Sequence, residues 1–441
     1  MCASPQLQEK NFSDKTEHFC SVFFILYEPH EYHLPKAKKE NDMRKIIAAV
    51  LALSIMLCGC STVAFASDME DDYVNSDTNV GAEIEDVDVE GLSVNAKSAI
   101  LMEASTGEIL YSYNASEALA PASVTKIMTL LLVAEAIADG SIKLTDEITV
   151  SENATSMGGS QIFLGEGEVF TVEELLKSTV IASANDAAVA LAEHVGGSEA
   201  HFVSMMNERA AELGMKSTSF ENCTGLDDTT VNHVTSAYDI AVMSRELIKH
   251  DIIRKYSNVW QDEIRDGEFV LTNTNRLVRY YQGCTGLKTG STDKAGFCVS
   301  ATAERDGMHL IAVIMGSPTR DERNNAARTL LDYGFASYSL YTDDAIALER
   351  VPVHKGAPEE VSVFSTGFSC LLPKGELQRV EKTYVIPEFI AGEHQCGAKV
   401  GEIIYTVEGR EIGRADIVIY DDIKPIGLWD VFLRILASAV N

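Results

Sequence analysis

Two residues near position 125 have the types and the spacing of a nucleophile and its base. Ser123 and Lys126 stand three positions apart, so on a helix both side chains lie on one face. Apolar residues at helical spacing accompany them, which predicts a buried helix with Ser123 at its amino end: Val124, Ile127, Met128 and Leu131. A serine hydroxyl becomes a good nucleophile when a neutral lysine takes its proton, and burial and the helix dipole both lower a lysine pKa. The pair therefore indicates a serine nucleophile activated by a lysine base.

The S-x-x-K spacing alone is weakly specific, since a chain of this length contains it by chance about once or twice. A second copy, Ser291 to Lys294, is not followed by an apolar helix. Two further polar motifs support the first copy: Ser183-Ala184-Asn185 in a helical region and Lys288-Thr289-Gly290 on a predicted strand. Ser151-Glu152-Asn153 also fits S-x-N, but its flanking residues predict a surface turn.

The segments around these motifs predict a mixed fold. Ser98 to Tyr111 has the signature of a β-hairpin with its turn at Ser105-Thr106-Gly107. Helices are predicted over 172–182, 187–195, 202–213 and 325–333, and strands over 286–289, 296–302 and 308–315. Strands at both ends of the segment with helices between them predict an α/β (α+β) domain, in which helices cover one antiparallel sheet.

The chain is predicted to have a main domain over 93–336 and a smaller all-β domain over 337–424, where short β-rich runs alternate with Gly and Pro. The last segment, 425–441, is predicted to be an amphipathic helix, with an apolar face formed by Leu428, Val431, Phe432, Ile435 and Leu436. Two roles remain open for this helix: peripheral contact with the cytoplasmic membrane, or packing on the β domain.

The amino-terminal part predicts export. The segment 43–66 has the three parts of a signal peptide: a basic start at Met43-Arg44-Lys45, an apolar run, and a cleavage motif at Ala64-Phe65-Ala66. The apolar run is shorter than the ~20 residues of a spanning helix, which favours cleavage after Ala66 over an anchor, with lipidation of Cys60 as the alternative. Residues 1–42 are interpreted as an over-extended reading frame, and 67–92 as an acidic linker, since 68–90 contain ten acidic residues and no basic one. The mature protein is then expected at the outer face of the cytoplasmic membrane, in the wall or in the periplasm.

Composition excludes several function classes. The net charge of -30 argues against nucleic-acid partners, which require clustered Lys and Arg. After the signal an odd number of cysteines remains, so free thiols are predicted: Cys223, Cys284, Cys298, Cys370 and Cys396. Their spacing fits no metal site, and H-E-x-x-H is missing, so neither metal nor cofactor is expected.

The order S-x-x-K, S-x-N, K-T-G resembles the serine acyl-transferases that react with penicillin. Longer strings are similar to the low-molecular-mass penicillin-binding proteins, serine-type D-alanyl-D-alanine carboxypeptidases of the peptidase S11 group: 120–129, 183–188 and 286–296, with weaker echoes at 222–226, 235–239 and 330–335. The resemblance runs from about Lys97 to the C terminus and implies a fold like that of serine β-lactamases and penicillin-binding transpeptidases.

The resemblance also implies a reaction and a set of roles. Ser123 would attack the carbonyl between the two terminal D-alanines of a peptidoglycan pentapeptide stem, Lys126 would take its proton and Ser183 would relay protons. The backbone N–H groups of Ser123 and Ser291 would form the oxyanion hole. Substrate would be bound by Asn185, Lys288, Thr289, Gly290 and Arg323, the last with a guanidinium suited to a carboxylate. β-Lactam antibiotics would acylate Ser123 as inhibitors.

Four alternatives stand beside this interpretation. A β-lactamase shares the nucleophile motif, but no E-x-x-L-N glutamate occurs between Ser183 and Lys288. A transpeptidase differs only in its acceptor, an amine in place of water. A non-enzymatic penicilloyl-accepting sensor or wall-binding module would need no turnover. A Ser-His-Asp hydrolase lacks its G-x-S-x-G elbow, and the histidines available to it have no distinguishing context: His194, His201, His233 and His309.

Overall fold

The structure is a computed structural model that describes residues 86–427 and Phe432. The predicted signal peptide, the segment before it, most of the predicted acidic linker and most of the predicted terminal helix lie outside the described residues.

The described chain up to Ser337 alternates strands and helices. Its strands are β1 (Ser98–Glu103), β2 (Ile109–Tyr113), β3 (Glu147–Thr149), β4 (Val169–Thr171), β5 (Gln261–Ile264), β6 (Phe269–Thr272), β7 (Cys284–Thr292), β8 (Gly296–Arg305) and β9 (Met308–Ser317). Its helices are α1 (Lys126–Ala138), α2 (Glu152–Thr155), α3 (Val172–Lys177), α4 (Asn185–Gly196), α5 (Glu199–Glu212), α6 (Ala237–Leu247), α7 (Asp251–Ser257), α8 (Leu277–Tyr280) and α9 (Arg320–Ser337).

One antiparallel sheet with strand order β2-β1-β9-β8-β7 forms the centre of this part. Successive side chains of a strand point to opposite faces. Ile100 and Val313 therefore join the core formed with α1 and α6, whereas Leu101 and Ala312 join a second core formed with α9. Every side chain of β1 is buried because both faces of the sheet are covered. The predicted fold class, an antiparallel sheet covered by helices, is confirmed.

Two helices have other limits than the sequence predicted. The segment 172–182 is an α-helix only as far as Lys177 and continues as a π-helical turn, Ser178–Ala182. Helix α9 begins at Arg320, five residues before the predicted start. Its cap is Thr319, whose side chain accepts a hydrogen bond from the backbone N–H of Glu322 at 3.2 Å. This earlier start places Arg320 and Arg323 in the first turn of the helix.

The chain from Tyr338 to Gly427 is β-rich, as predicted, and its helical content is one 3-10 turn, Leu377–Arg379. Its strands are β10 (Tyr338–Asp343), β11 (Val351–His354), β12 (Gly356–Ala357), β13 (Glu360–Val361), β14 (Val363–Ser365), β15 (Phe368–Pro373), β16 (Val380–Val385), β17 (Ile390–Ala391), β18 (Lys399–Val407), β19 (Arg410–Ile419) and β20 (Lys424–Pro425). The largest sheet has the order β14-β19-β18-β16. Tyr405 lies fully buried in its core and donates a hydrogen bond to Asp343 at 2.6 Å. Among the described residues no helix has the length and apolar character needed to cross a membrane.

Candidate active site

Ser123 lies in a 3-10 turn, Ala122–Thr125, which leads directly into α1. The sequence predicted that Ser123 would lie within the amino end of the helix, whereas the α-helix begins at Lys126. The difference favours contact between the two side chains, because residues i and i+3 of a 3-10 turn eclipse each other. Lys126 Nζ lies 3.1 Å from Ser123 Oγ.

Two glycines allow other backbone segments to approach this turn. Gly225 has φ +83°, and a Cβ on it would lie 1.9 Å from the carbonyl oxygen of Ala122. A Cβ on Gly290 of β7 would lie 2.8 Å from the backbone nitrogen of Ser123. Any larger residue would push the neighbouring backbone away, so the position of the Ser123 turn depends on both glycines.

Lys126 is fully buried and its ammonium position is surrounded by oxygen atoms. Besides Ser123, Nζ contacts Asn185 Oδ1 at 2.5 Å and the carbonyl oxygen of Thr224 at 2.8 Å. Burial lowers the pKa of Lys126 to about 7, although Cys223 and Asp186 oppose the shift. A neutral amine has two hydrogens, which the Asn185 and Thr224 oxygens accept. Its lone pair is then left for the Ser123 hydroxyl proton, which is the geometry of a general base.

Ser183 and Asn185 enter the site from the end of the π-helical turn. Ser183 adopts a left-handed backbone conformation with φ +62°, and α4 begins two residues later at Asn185. The Asn185 amide donates from Nδ2 to the carbonyl oxygen of Gly158 at 2.6 Å while its oxygen accepts from Lys126. Its orientation is therefore fixed, and one amide hydrogen remains available for a substrate carbonyl.

Lys288 of β7 occupies the wall opposite Lys126. Its Nζ donates to Ser183 Oγ at 2.7 Å and to the carbonyl oxygen of Thr289 at 2.9 Å. Burial, followed by the positive charges of Lys126 and Arg323, holds the pKa of Lys288 well below its usual range. Ser183 is therefore the hydrogen-bond partner of Lys288, as Ser123 is of Lys126.

Arg323 reaches the site from the first turn of α9 and is 3% exposed. Its guanidinium donates to Asn324 Oδ1 at 2.9 Å and to the carbonyl oxygen of Cys298 at 3.4 Å, and both acceptors are neutral. Burial lowers the pKa of Arg323 to about 10, with a further contribution from Arg320 and Arg276. The cation has no carboxylate partner in residues 86–427.

A cavity of about 630 Å³ opens above Ser123. It is lined by six of the residues that the sequence singled out: Ser123, Ser183, Thr289, Gly290, Ser291 and Arg323. Lys126 and Lys288 contact Ser123 and Ser183 of this lining, and Asn185 contacts Lys126. The structure thus brings the three motifs together around one cavity, with Lys126 in contact with Ser123 and Lys288 in contact with Ser183.

The sequence matches the peptidase S11 family of D-alanyl-D-alanine carboxypeptidases over residues 85–319, more than half of the chain. The chain belongs to this family. Residues 335–425 match the C-terminal domain of penicillin-binding protein 5. The suspected resemblance to low-molecular-mass penicillin-binding proteins is confirmed by these two matches.

Relatives of known name agree with this assignment. The D-alanyl-D-alanine carboxypeptidase DacF of Bacillus subtilis is 43% identical over 344 residues, covering 76% of this chain and 88% of its own length. Penicillin-binding protein 5 of Haemophilus influenzae has a crystal structure that matches with a TM-score of 0.67 at 29% identity, covering 76% of this chain and all of that one. Penicillin-binding protein D2 of Listeria monocytogenes, solved with ampicillin bound, matches with a TM-score of 0.51 at 30% identity, covering 55% of this chain and 98% of that one.

His233, one of the histidines that a Ser-His-Asp mechanism could use, has a structural position in this S11 domain. His233 is buried, accepts the backbone N–H of Glu221 at Nδ1 (3.0 Å) and lies 2.8 Å from Thr125 Oγ1 through Nε2. Because Nδ1 accepts, the ring proton sits on Nε2 and is donated to Thr125. Burial lowers the pKa of His233 to about 4, so the ring is neutral. It is a structural histidine of the Ser123 turn.

Of the extra motif matches, Ser151-Glu152-Asn153 does not line the cavity, whereas the second S-x-x-K copy begins at Ser291, which does. Ser151 caps the one-turn helix α2, accepting from the backbone N–H of Ala154 at 3.0 Å, where the sequence predicted a simple surface turn. The second S-x-x-K copy lies at the end of β7 and in the turn that follows. In the part of the chain that the structure describes, no cluster of three metal-ligating side chains is found, and the five cysteines are free thiols.

Several cavity residues were not found from the sequence: Ser160, Trp260, Thr274, Arg276, Tyr280 and Arg320. Neither their spacing nor their types set them apart, since arginines and aromatic residues also occur on ordinary surfaces. The carbonyl oxygen of Thr224 was missed because a backbone acceptor leaves no trace in residue type. In the sequence, only the weak family resemblance at 222–226 pointed to the segment that contains Thr224.

Proposed function

We propose that the protein removes the terminal D-alanine from peptidoglycan pentapeptide stems through an acyl-enzyme on Ser123. The observation that carries this proposal is the surrounding of Lys126: a buried amine with a pKa near 7, two carbonyl oxygens for its hydrogens and Ser123 Oγ at 3.1 Å. Membership of the S11 family supplies the substrate class.

In the proposed acylation, Ser123 Oγ forms a bond to the carbonyl carbon between the two D-alanines while its proton passes to Lys126. The backbone N–H groups of Ser123 and Ser291 stabilise the oxyanion that develops. When the C–N bond breaks, the leaving amine takes the proton through Ser183. The terminal carboxylate is bound beside Thr289 and Arg323, with Lys288 behind them. Water then attacks the ester, and Lys126 takes the proton of that water, which restores Ser123 and releases the shortened stem.

β-Lactam antibiotics are proposed to acylate the same serine, since their reactive amide replaces the D-alanyl-D-alanine bond. Family membership favours the carboxypeptidase over the β-lactamase and over the sensor that only accepts a penicilloyl group. Water as the acceptor is part of the proposal, and an amine acceptor, which would make the enzyme a transpeptidase, is an outcome of the test below.

The test incubates the purified protein with a fluorescent penicillin and with a peptide that ends in D-alanyl-D-alanine, beside the variant Ser123→Ala. The wild type should be labelled once per chain and should release D-alanine in many turnovers, and the variant should do neither. Labelling that persists in Ser123→Ala would refute the assignment. Repeating the peptide assay with glycine as an added amine distinguishes the acceptors, because a transpeptidase forms a peptide ending in glycine.

We also propose that the mature protein is exported and acts at the outer face of the cytoplasmic membrane. The signal-like segment 43–66 and the acidic segment after it support this location. Sequencing of the amino terminus of the protein from expressing cells should show a start after Ala66. A start at residue 1 in the cytoplasmic fraction would contradict export.

The segment 425–441 is proposed to touch the membrane peripherally through its apolar residues. In a vesicle flotation assay the full mature chain should float with phospholipid vesicles, and a chain ending at Ile426 should stay at the bottom. Equal behaviour of the two chains would contradict the proposed contact.

A further inference from the structure

The cavity above Ser123 contains more positive charge than one terminal carboxylate requires. Three guanidinium groups line it, from Arg276, Arg320 and Arg323, and no Asp or Glu of residues 86–427 does so. The whole chain has a formal charge of -30, yet a second cavity, lined by Glu199, Glu221 and Asp228, contains the acidic residues that the cavity above Ser123 does not. Like charges gathered around a small volume repel each other, and an anionic ligand removes that repulsion.

The three arginines differ in how they are held. Arg323 is buried and bonded to neutral acceptors, as described above. Arg320 and Arg276 are exposed, and neither forms an ion pair within residues 86–427. The two charges still act on Arg323, since both help to lower the pKa of Arg323. All three cations therefore face the same space, and Arg276 and Arg320 have no ion-pair partner among residues 86–427.

Arg276 comes from a different element than the other two. It is the residue just before α8, whereas Arg320 and Arg323 lie one turn apart on α9. Trp260 and Tyr280 line the same cavity and stand 6.4 Å apart, centroid to centroid. Arg276 thus belongs to a wall with aromatic side chains, which suits the aliphatic part of a peptide as well as its charge.

We infer that Arg276, with Arg320, forms a second carboxylate subsite that binds an acidic residue of the peptide stem upstream of the scissile bond. The inference rests on the proposed function, in which Arg323, Thr289 and Lys288 bind the carboxylate of the terminal D-alanine. A substrate with a free upstream carboxylate supplies the second negative charge, and one with a carboxamide there does not. The subsite makes the enzyme selective for stems that are not amidated.

The test uses two synthetic peptides that end in D-alanyl-D-alanine and differ only in one upstream side chain, a carboxylate or its carboxamide. The wild type should cleave the carboxylate peptide with a kcat/KM about tenfold higher, since a hydrogen-bonded charge pair in a half-open cavity has roughly that effect. Arg276→Gln should lower kcat/KM for the carboxylate peptide and bring the ratio to within about twofold of one. Arg276→Lys, which keeps the charge and loses the fork, should give an intermediate ratio.

Arg279→Gln is the matched control. Arg279 lies in α8, three residues after Arg276, and has the same charge, and its guanidinium packs over Trp260 at 5.3 Å and Tyr280 at 5.6 Å without lining the cavity. The ratio should stay near the wild-type value in this variant. An equal loss in Arg276→Gln and Arg279→Gln would point to the general field of the region and refute a subsite at Arg276.

Two results overturn the subsite while leaving the proposed function intact. One is a wild type that cleaves both peptides with the same kcat/KM, and the other is an Arg276→Gln variant that keeps the full preference. Failure of the proposed function has a different signature, in which neither peptide is cleaved and penicillin does not label Ser123. Thermal unfolding of each variant verifies that the exposed substitutions leave the protein folded.

Discussion

Replacement of Lys126 by methionine tests the central element of the site, a buried lysine that is neutral near physiological pH. Its pKa is lowered from 10.5 to about 7 by burial. At pH 7 about half of the lysines are then neutral, against about one in three thousand at the ordinary pKa. Methionine has a similar length and no base, so Lys126→Met should slow acylation of Ser123 by penicillin at least about a hundredfold.

The pH dependence of acylation gives the second measurement. The rate constant for labelling by a fluorescent penicillin should rise with pH and level off above an inflection near 7, because the neutral amine is the reactive form. Residual labelling of Lys126→Met should lack this inflection. A wild-type rate that is constant from pH 5.5 to 8.5 would refute a lysine base with this pKa.

Stability depends on the same pKa with a defined sign. Between pH 7 and 10.5 the unfolded chain binds a proton on Lys126 that the folded chain does not, so the free energy of unfolding rises with pH in this window. The rise is about 1.4 kcal/mol per pH unit, and up to about 5 kcal/mol over the window. Lys126→Met should lack it. Denaturant unfolding at pH 7 and pH 10 measures the difference between the two proteins, and a difference that does not change with pH would contradict the shifted pKa.

Substitutions at Gly225 and His233 test the support of the Ser123 turn, with Gly214→Ala as a control. Gly225→Ala places a Cβ 1.9 Å from the Ala122 carbonyl oxygen and should lower both Tm and the acylation rate, whereas Gly214→Ala, also at positive φ but in open space, should lower Tm slightly and leave acylation unchanged. His233→Gln keeps a donor to Thr125 but cannot titrate. Because the folded pKa of His233 is about 4, below the unfolded value of 6.5, the wild type should lose stability relative to this variant as pH falls from 6.5 to 4. Parallel stability curves for the two proteins would refute that pKa.

The fold was predictable from the sequence where apolar periodicity decides the structure. The strands at 296–302 and 308–315 correspond to β8 and β9, and the hairpin at 98–111 to β1 and β2. Apolar periodicity did not predict the π-helical turn 178–182 or the left-handed conformation of Ser183 that follows it, and the partner of Ser183, Lys288, is 105 residues away in the sequence. Helix α9 was predicted too short because the prediction followed apolar residues. The first turn of α9 is charged, so its start at the cap Thr319 does not show in that pattern.

Some residues of the candidate site were predictable from residue type, and others were found only from contacts in the structure. Ser123, Lys126 and the S-x-N and K-T-G motifs were predictable, because reactive side chains at a fixed spacing can be recognised in a sequence. The carbonyl acceptor of Thr224 and the close backbone approach at Gly225 cannot be predicted from the sequence. Every residue has a carbonyl oxygen, and glycine occurs for many structural reasons.

Arg276 is the residue for which this distinction matters most. In the sequence it is one of many charged residues in an acidic chain, and nothing in its neighbours separates it from surface arginines. The role inferred for Arg276 rests on the charges around one cavity, which three guanidinium groups line although the proposed reaction requires only one substrate carboxylate. Motifs locate the bond-breaking residues because the reaction fixes their types and geometry. Selectivity for the rest of the substrate is determined by side chains such as Arg276, which lines the same cavity as the motif residues only in the folded protein.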